Sequence, residues 1–229
     1  MITSLRIELN DKLFLRDPQD TDLGRRLVAE SIRLIDEIGF EQFTFKKLAL
    51  RIESTEASLY RYFENKHRLL VYLVSWHWAW LSYQIRFHTH NVPDARERLR
   101  LTLSILTRAH QDDPSTTQAR RSGSLPHRGQ RSLQGLPHQG SRRGQPGRFF
   151  REYKRLAAGI VAVVQEINPA YAHPHALVST LLEAARKQLF FAQHLPSLTD
   201  APVAGAEDAL YSFLEHVAFA ALDHQGSNK

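Results

Sequence analysis

Apolar residues recur three or four positions apart through most of this 229-residue chain, which is the spacing of one face of an α-helix. No segment shows the strict alternation of apolar and polar residues that is typical of a strand. The sequence therefore predicts an all-α protein. Between residues 22 and 38, for example, the apolar face consists of Leu23, Leu27, Ile32, Leu34, Ile35 and Ile38.

Capping residues and helix breakers set the predicted bounds of the helices. Side-chain caps are expected at Thr21 or Asp22, Thr44, Thr55 and Asn65, with Gly39 ending the first helix. The predicted helices cover residues 22–38, 45–51, 56–62, 66–87, 94–111, 149–167, 176–194 and 207–222. The fourth of these would be about 33 Å long at 1.5 Å per residue.

The composition excludes several classes of protein. Cysteine is absent, which excludes disulfides and thiolate metal sites, and no apolar run approaches the roughly 18 residues of a membrane span. Charged residues within 1–20 do not fit a secretory signal, so we expect a cytoplasmic protein.

The histidine pairs 88/90 and 173/175 lack zinc-helix spacing, and no phosphate loop, nucleophile elbow or paired carboxylates occur. The sequence predicts no metal, no cofactor and no enzymatic activity.

Basic charge is concentrated in one segment. The chain has a formal net charge of +6, yet residues 114–148 contain seven arginines and no acidic residue, which leaves −1 for the rest. This glycine-rich segment predicts no amphipathic helix and is expected to be irregular. It is a flexible insertion, an arginine-rich tail that adds nonspecific DNA affinity, or the product of a compensated frameshift. We favour the frameshift because the helical pattern stops after Asp113 and resumes at Phe149.

Residues 40–70 suit a helix-turn-helix, in which two short helices flank a tight turn and the second helix enters the major groove of DNA. Seven apolar residues are spaced to form its small core: Phe43, Phe45, Leu48, Ile52, Leu59, Phe63 and Leu69. Small and polar residues remain on the second helix for DNA: Thr55, Glu56, Ala57, Ser58, Tyr60 and Arg61. Lys66, in the first turn of the fourth helix, is placed to meet a phosphate.

The runs T-F-K-K-L-A and A-S-L-Y-R-Y-F-E-N-K resemble the DNA-binding domain of the tetracycline-repressor (TetR) family, over about residues 21–73. The resemblance implies all-α homodimers with three N-terminal helices for DNA and a divergent helical domain for dimerisation and a small-molecule inducer. It places Lys46, Glu56, Ala57, Ser58 and Tyr60 at the DNA surface and Lys66 on the DNA backbone. Thr44, Thr55 and Arg61 complete the predicted DNA contacts.

One position departs from the family's pattern. The family's turn usually carries a glycine with positive φ followed by valine, whereas this chain has Glu53 and Ser54. A glutamate in that conformation costs about 1 kcal/mol. Either the turn is of another type or the domain is somewhat less stable.

The fourth helix carries an aromatic face made of Trp76, Trp80, Tyr83 and Phe87, which recur at spacings of three or four. Ordinary core packing is one explanation of this face. The other is the wall of an inducer pocket, because such pockets are mostly apolar with a few polar groups. A ligand there would act on the recognition helices through the fourth helix, as the resemblance implies.

The last two predicted helices have apolar faces that either pack within the chain or pair with a second copy as a four-helix bundle. The resemblance favours the dimer. Their apolar residues are Leu177, Leu181, Leu182, Ala185, Leu189, Leu210, Phe213, Leu214, Val217, Phe219 and Ala220.

The predicted organisation is an extension over residues 1–20, a helix-turn-helix domain over 21–68, and a regulatory and dimerisation domain over 69–229. The predicted function is a sequence-specific, DNA-binding transcriptional regulator, a repressor that a small-molecule inducer releases from double-stranded DNA. The alternative is a helical ligand-binding or dimerisation protein that has lost operator binding. An enzyme that uses the aromatic residues and histidines is the least favoured hypothesis.

Overall fold

Eight α-helices and three short 3-10 turns make up the part of the chain that the computed structural model describes, residues 6–108, 151–202 and 204–224, without the side chains of 193–194. No strand occurs in these ranges, and the all-α prediction is confirmed. The predicted irregular segment 114–148 lies outside the described residues. The helices are α1 (Asp22–Ile38), α2 (Phe45–Arg51), α3 (Glu56–Tyr60), α4 (Lys66–Thr89), α5 (Ala95–Arg108), α6 (Arg151–Ile167), α7 (Pro174–His194) and α8 (Ala206–Asp223).

Local side-chain caps begin the first four helices, as predicted. The side-chain oxygens of Thr21, Thr44, Thr55 and Asn65 each accept a backbone N–H three residues on, at 3.0–3.3 Å. Gly39 ends α1 with a φ of 78°, a region that favours glycine. The third helix was predicted to reach residue 62 but ends two residues earlier. The N–H of residue 62 instead bonds the carbonyl three residues back, at 2.9 Å, which tightens the last turn.

The described residues divide into two compact units, 6–80 in one and 81–108 with 152–224 in the other. The division falls inside α4, so a helix rather than a loop joins the two units. The core of the first unit packs α1, α2, α3 and the start of α4 around residues that are almost fully buried. It contains all seven predicted core residues: Phe43, Phe45, Leu48, Ile52, Leu59, Phe63 and Leu69.

Residues 6–20, which we call the N-terminal arm, pack against the first unit. Leu13 is buried in its core. The side-chain amide of Gln19 bonds both backbone groups of Ile7, accepting its N–H at 3.0 Å and donating to its carbonyl at 2.9 Å. Pro18 lies so close to Gly24 that a Cβ on that glycine would stand 2.3 Å from the proline carbonyl oxygen. The arm is therefore an ordered, packed part of this unit.

The second unit is built around α5, α7 and α8, which contact one another. Leucines from all three helices fill its core, including Leu99, Leu181 and Leu214. Arginines of α5 form ion pairs with acids on other helices, such as Arg100 with Glu215 at 2.8 Å. Such half-exposed pairs add little stability.

None of the described helices combines the length and the apolar character that a membrane-spanning segment requires.

Candidate nucleic-acid interface

The turn between α2 and α3 is a complete Schellman motif with a glutamate at its left-handed position. Glu53 has a φ of 52°, the one positive value among the described residues other than glycine. Its N–H bonds the carbonyl of Leu50 at 3.3 Å, and the N–H of Ser54 bonds the carbonyl of Ala49 at 2.9 Å. These are the two bonds that define the motif. Of the two alternatives left open by the sequence, the structure shows a turn with the positive φ at this position, formed without a glycine.

The nine predicted DNA contacts lie along the outer side of this helix-turn-helix. Two of them, Ser58 and Lys66, are half-buried, and the other seven are exposed: Thr44, Lys46, Thr55, Glu56, Ala57, Tyr60 and Arg61. They come from the first residues of α2, from α3 and from the segment up to the start of α4. The structure therefore presents the set on one continuous stretch of surface chain, and their contact with DNA remains a prediction.

Two hydroxyl groups at the start of α3 hold each other. Thr55 Oγ1 lies 2.9 Å from Ser58 Oγ, and it also accepts the backbone N–H of Ser58 at 3.3 Å. Each hydroxyl has more than one site for hydrogen bonding, so the pair keeps capacity for a base edge. The mutual contact fixes their rotamers before DNA arrives, which lowers the entropy lost on binding.

The two tyrosines near the end of α3 have different environments. Tyr60 is 48 % exposed, and its ring packs edge-on against Phe45 with centroids 5.0 Å apart. Tyr62 is buried, and its hydroxyl lies 2.7 Å from Thr21 Oγ1. Of these two residues only Tyr60 offers a phenol to a partner outside the unit, as predicted.

Lys66 has intramolecular partners that its place in the sequence did not reveal. Its Nζ lies 3.3 Å from each of the carbonyl oxygens of Phe40, Glu41 and Phe43, and 4.8 Å from the centre of the Phe40 ring. An ammonium has three donors, so these carbonyls occupy all of them in this conformation. A phosphate contact by Lys66 would require it to share or exchange these bonds.

Two of the basic residues of α2 form intramolecular hydrogen bonds through their side chains, and one does not in the described part of the chain. Arg51 bonds Glu30 and Glu37 on α1, at 2.8 Å and 2.7 Å. The hydrogen bond from its guanidinium holds the pKa of Glu37 below the usual value. Lys47 donates to the carbonyl of Gln42 at 2.9 Å. In the described part of the chain Lys46 has no such partner, so α2 offers its charge to a ligand at that residue.

Leu50 is an exposed residue of this surface that the sequence did not single out. Its side chain is 73 % exposed, and it lies one helical turn after Lys46 on α2. An exposed aliphatic side chain beside a recognition helix suits contact with a thymine methyl group. The signal in the sequence was weak, because Leu50 belongs to the run L-A-L, in which core and surface leucines look alike.

The four residues predicted to line an inducer pocket do not share one environment. Trp76 and Trp80 belong to the first unit and stack with centroids 6.5 Å apart, and Trp80 is almost fully buried. Tyr83 and Phe87 stack on each other at 6.0 Å but are 38 % and 65 % exposed. The two stacked pairs agree with helical spacing within each pair, but the exposure of the side chains separates one pair from the other. Their role in a pocket stays a prediction.

Residues 27–73 match the family described as "Bacterial regulatory proteins, tetR family". The match begins within α1 and ends in α4, so it spans the caps at Thr44, Thr55 and Asn65, the seven predicted core residues and the Schellman turn. The match to the TetR family covers this segment, 47 of the 229 residues of the chain. No curated protein matches the sequence.

Several solved structures are similar to this chain in fold over 84–91% of its length. AibR, solved with isovaleryl coenzyme A and operator DNA, is 12 % identical with a TM-score of 0.56, over 84 % of this chain and 96 % of that one. FadR from Bacillus subtilis, solved with stearoyl-CoA, is 15 % identical with a TM-score of 0.60, over 84 % and 96 %. SCO4454, a TetR-family regulator from Streptomyces coelicolor, is 12 % identical with a TM-score of 0.58, over 91 % and 95 %. At these identities the likeness concerns the fold.

Proposed function

We propose that this chain is a TetR-family regulator, a homodimeric repressor that binds an operator through α2 and α3 and is released by a small-molecule inducer. The observation that carries the proposal is the helix-turn-helix itself. Its core is complete, its turn has both Schellman bonds, and its outer side keeps small, polar and cationic residues exposed. This combination suits a helix that enters the major groove.

The predicted contacts divide by chemistry. Lys46 and Arg61 are exposed cations without a carboxylate partner among the described residues, so they are suited to phosphates. Ser58 and Tyr60 on α3 are suited to base edges, and the small Ala57 allows the helix to come close. Thr44, Thr55 and Glu56 lie at the starts of the two helices, where they meet the edges of the groove.

The domain roles are part of the proposal. We assign DNA binding to residues 21–68, regulation and dimerisation to 69–229, and an extension to 1–20. The core of the first unit extends beyond both ends of this DNA-binding segment, because it includes Leu13 before the segment and Leu73 after it. A fragment limited to 21–68 would lack both residues and would expose the apolar surface that they cover. The repressor is expected to work in the cytoplasm, where the operator is.

The dimer contact is proposed on one stripe of α8. The leucines of α7 and α8, such as Leu181 and Leu214, are buried inside one copy of the chain and are not free for a partner. Phe213 is 49 % exposed, Val217 is half-buried and Ala220 is exposed, at spacings of four and three. A second copy packed on this stripe would form a four-helix bundle with α7 and α8. The two recognition helices must then lie about 34–36 Å apart.

An inducer is proposed to act at α4. All three tryptophans of the chain, at 76, 78 and 80, lie on this helix. The indole nitrogen of Trp80 is buried without a hydrogen-bond partner among the described residues, which leaves a donor for a polar group of a ligand. Two of the related structures hold acyl-CoA molecules. Isovaleryl-CoA and stearoyl-CoA are therefore the first probes to titrate, with tryptophan fluorescence as the readout of α4.

The test is a gel-shift of the purified chain on the DNA that flanks its own gene, with scrambled competitor and a salt series. We expect a specific complex whose affinity falls steeply with salt, because bound cations displace phosphate counterions. The addition of an effective inducer should dissociate it. A folded, helical protein that binds scrambled and flanking DNA equally would contradict operator recognition.

A second candidate function is a helical ligand-binding or dimerisation protein that has lost operator binding, which the strained Glu53 favours. It predicts an acyl-CoA response without any specific DNA complex, so the same experiment separates the two. No observation favours an enzyme. In the described ranges no three histidine, aspartate or glutamate side chains are placed to hold a metal ion.

A further inference from the structure

We propose that Arg16 of the N-terminal arm contacts the DNA backbone beside the recognition helix, so that the arm extends the interface beyond α2 and α3. This inference rests on the proposed function, because it adds a contact to the same complex. It follows from three features of the arm: where Arg16 lies, what holds it there, and what its charge lacks.

Arg16 lies against the end of the recognition helix. Its guanidinium carbon stands 5.7 Å from the centre of the Tyr62 ring. Tyr62 follows Arg61, an exposed cation at the C-terminal cap of α3, and comes two residues after Tyr60. The arm therefore brings a further guanidinium to the segment that already carries the proposed contacts.

The backbone on both sides of Arg16 is fixed. On one side, the N–H of Leu15 donates to the carbonyl of Tyr62 at 2.8 Å. On the other side, Pro18 is buried and packs against Gly24. A side chain that starts from an ordered backbone loses less entropy when it binds a ligand than one on a free terminus. The arm thus presents Arg16 as a positioned cation.

The charge of Arg16 is not neutralised within the described part of the chain. The adjacent carboxylate, Asp17, is engaged elsewhere: it accepts the backbone N–H of Gln19 at 2.8 Å and pairs with Arg6 at 3.0 Å. The side chain of Arg16 is exposed and forms no ion pair in the described ranges. A planar guanidinium in this state matches the geometry of phosphate oxygens, and duplex DNA is the phosphate-rich partner of this surface.

The experiment compares salt dependence across variants of the full chain on flanking DNA and on scrambled duplex. Log K falls as log salt rises, and Arg16→Gln should make this fall less steep. The magnitude of the slope should decrease by about 0.9 for each arm, hence by about 1.8 for a dimer. Its affinity deficit relative to wild type should then shrink about tenfold between roughly 50 and 200 mM salt. Arg16→Lys keeps the charge and should keep most of the slope. The matched control is Arg86→Gln, an exposed arginine of the second unit, which carries none of the proposed DNA contacts.

An Arg16→Gln slope equal to wild type would overturn the inference, and so would an equal change in Arg86→Gln. If the thermal unfolding curve of Arg16→Gln shifts while the salt slope stays unchanged, Arg16 only packs on Tyr62 and does not contact DNA. That result would also overturn the inference. Failure of the proposed function looks different: the wild type then shows no preference for flanking DNA. The slopes on scrambled duplex still decide the arm contact in that case, because phosphate contacts do not depend on sequence.

Discussion

The ammonium of Lys66 lies 4.8 Å from the centre of the Phe40 ring and 3.3 Å from the Phe40 carbonyl oxygen. Two further carbonyls of the segment between α1 and α2 share the same ammonium. The first turn of α4 is thereby tied to the loop that leads into the helix-turn-helix. Lys66 has a structural role that is independent of any phosphate.

Replacing Lys66 with methionine separates these two roles. The variant should lose about 1–2 kcal/mol in free energy of unfolding, because three carbonyls lose a charged donor and the Phe40 ring loses its cation. Denaturant unfolding followed by circular dichroism measures this loss. Lys46→Met is the matched control, since that lysine has no partner in the described ranges. A variant of wild-type stability that binds all DNA more weakly would show that Lys66 acts at the phosphate alone.

Removal of the Tyr60 hydroxyl tests base recognition without disturbing the fold. The ring of Tyr60 packs on Phe45, while its hydroxyl forms no hydrogen bond to another described residue. Tyr60→Phe should therefore keep the wild-type unfolding curve and weaken operator binding about tenfold, which corresponds to about 1.4 kcal/mol. Anisotropy titrations of operator and scrambled duplex measure the effect. Equal affinity of variant and wild type for the operator would remove Tyr60 from the interface.

Substitution of Glu53 with glycine tests the strain in the turn. The φ of 52° costs a residue with a side chain about 1 kcal/mol more than glycine, so Glu53→Gly should raise the free energy of unfolding by about that amount. Glu53→Ala is the control that removes the charge and keeps the strain. If alanine stabilises as much as glycine, the charge of Glu53 and not its backbone conformation is responsible.

The pairing of Arg51 with Glu37 predicts a pH-dependent contribution to stability. A lowered pKa in the folded state stabilises the protein above the unfolded pKa of about 4.3, and this stabilisation is lost as the pH falls through the folded value. Glu37→Gln should therefore cost about 0.5 kcal/mol at neutral pH, after discount for a carboxylate that is half exposed, and progressively less in acid. Unfolding at a series of pH values measures this loss, with Glu41→Gln as control, because the Glu41 carboxylate forms no ion pair within the described ranges. A deficit that does not shrink in acid would contradict the ion pair.

Charge on the exposed stripe of α8 should break the dimer. Phe213→Lys introduces a cation at the centre of the proposed contact, and the loss of a buried aromatic anchor typically costs at least 2 kcal/mol. We expect the dimer dissociation constant to rise about thirtyfold in sedimentation equilibrium. Phe87→Lys, at an exposed aromatic residue of α4, should leave the dissociation constant unchanged. If instead both variants sediment as the wild type does, the dimer uses another face.

The helices of this chain could be predicted because their signals are local. Thr21, Thr44, Thr55 and Asn65 each cap a backbone group three residues away, so the sequence alone places the start of a helix. The core of the first unit followed from helical spacing. The resemblance indicated where the family's turn has a left-handed residue, but with Glu53 in that place the sequence alone left the type of turn open.

The features that were missed depend on partners distant in sequence. Lys66 bonds carbonyls 23–26 residues away, and Arg51 bonds a carboxylate 14 residues away. No spacing rule predicts such pairs. The arm was predicted only as an extension, although its apolar residues Leu13 and Phe14, which pack in the first unit, were a signal of packing. For Tyr83 and Phe87, helical spacing predicted that the two side chains share a face of the helix, but it did not predict whether that face is buried or exposed.

The continuity of α4 across the boundary between the two units constrains how the gene can change. An α-helix advances about 100° per residue, so one inserted residue near Trp80 would turn every later side chain of the helix by that angle. Recombination that joins this first unit to a different second half therefore changes the phase of every later side chain of the helix with each residue that it adds or removes, whereas a loop has no such phase.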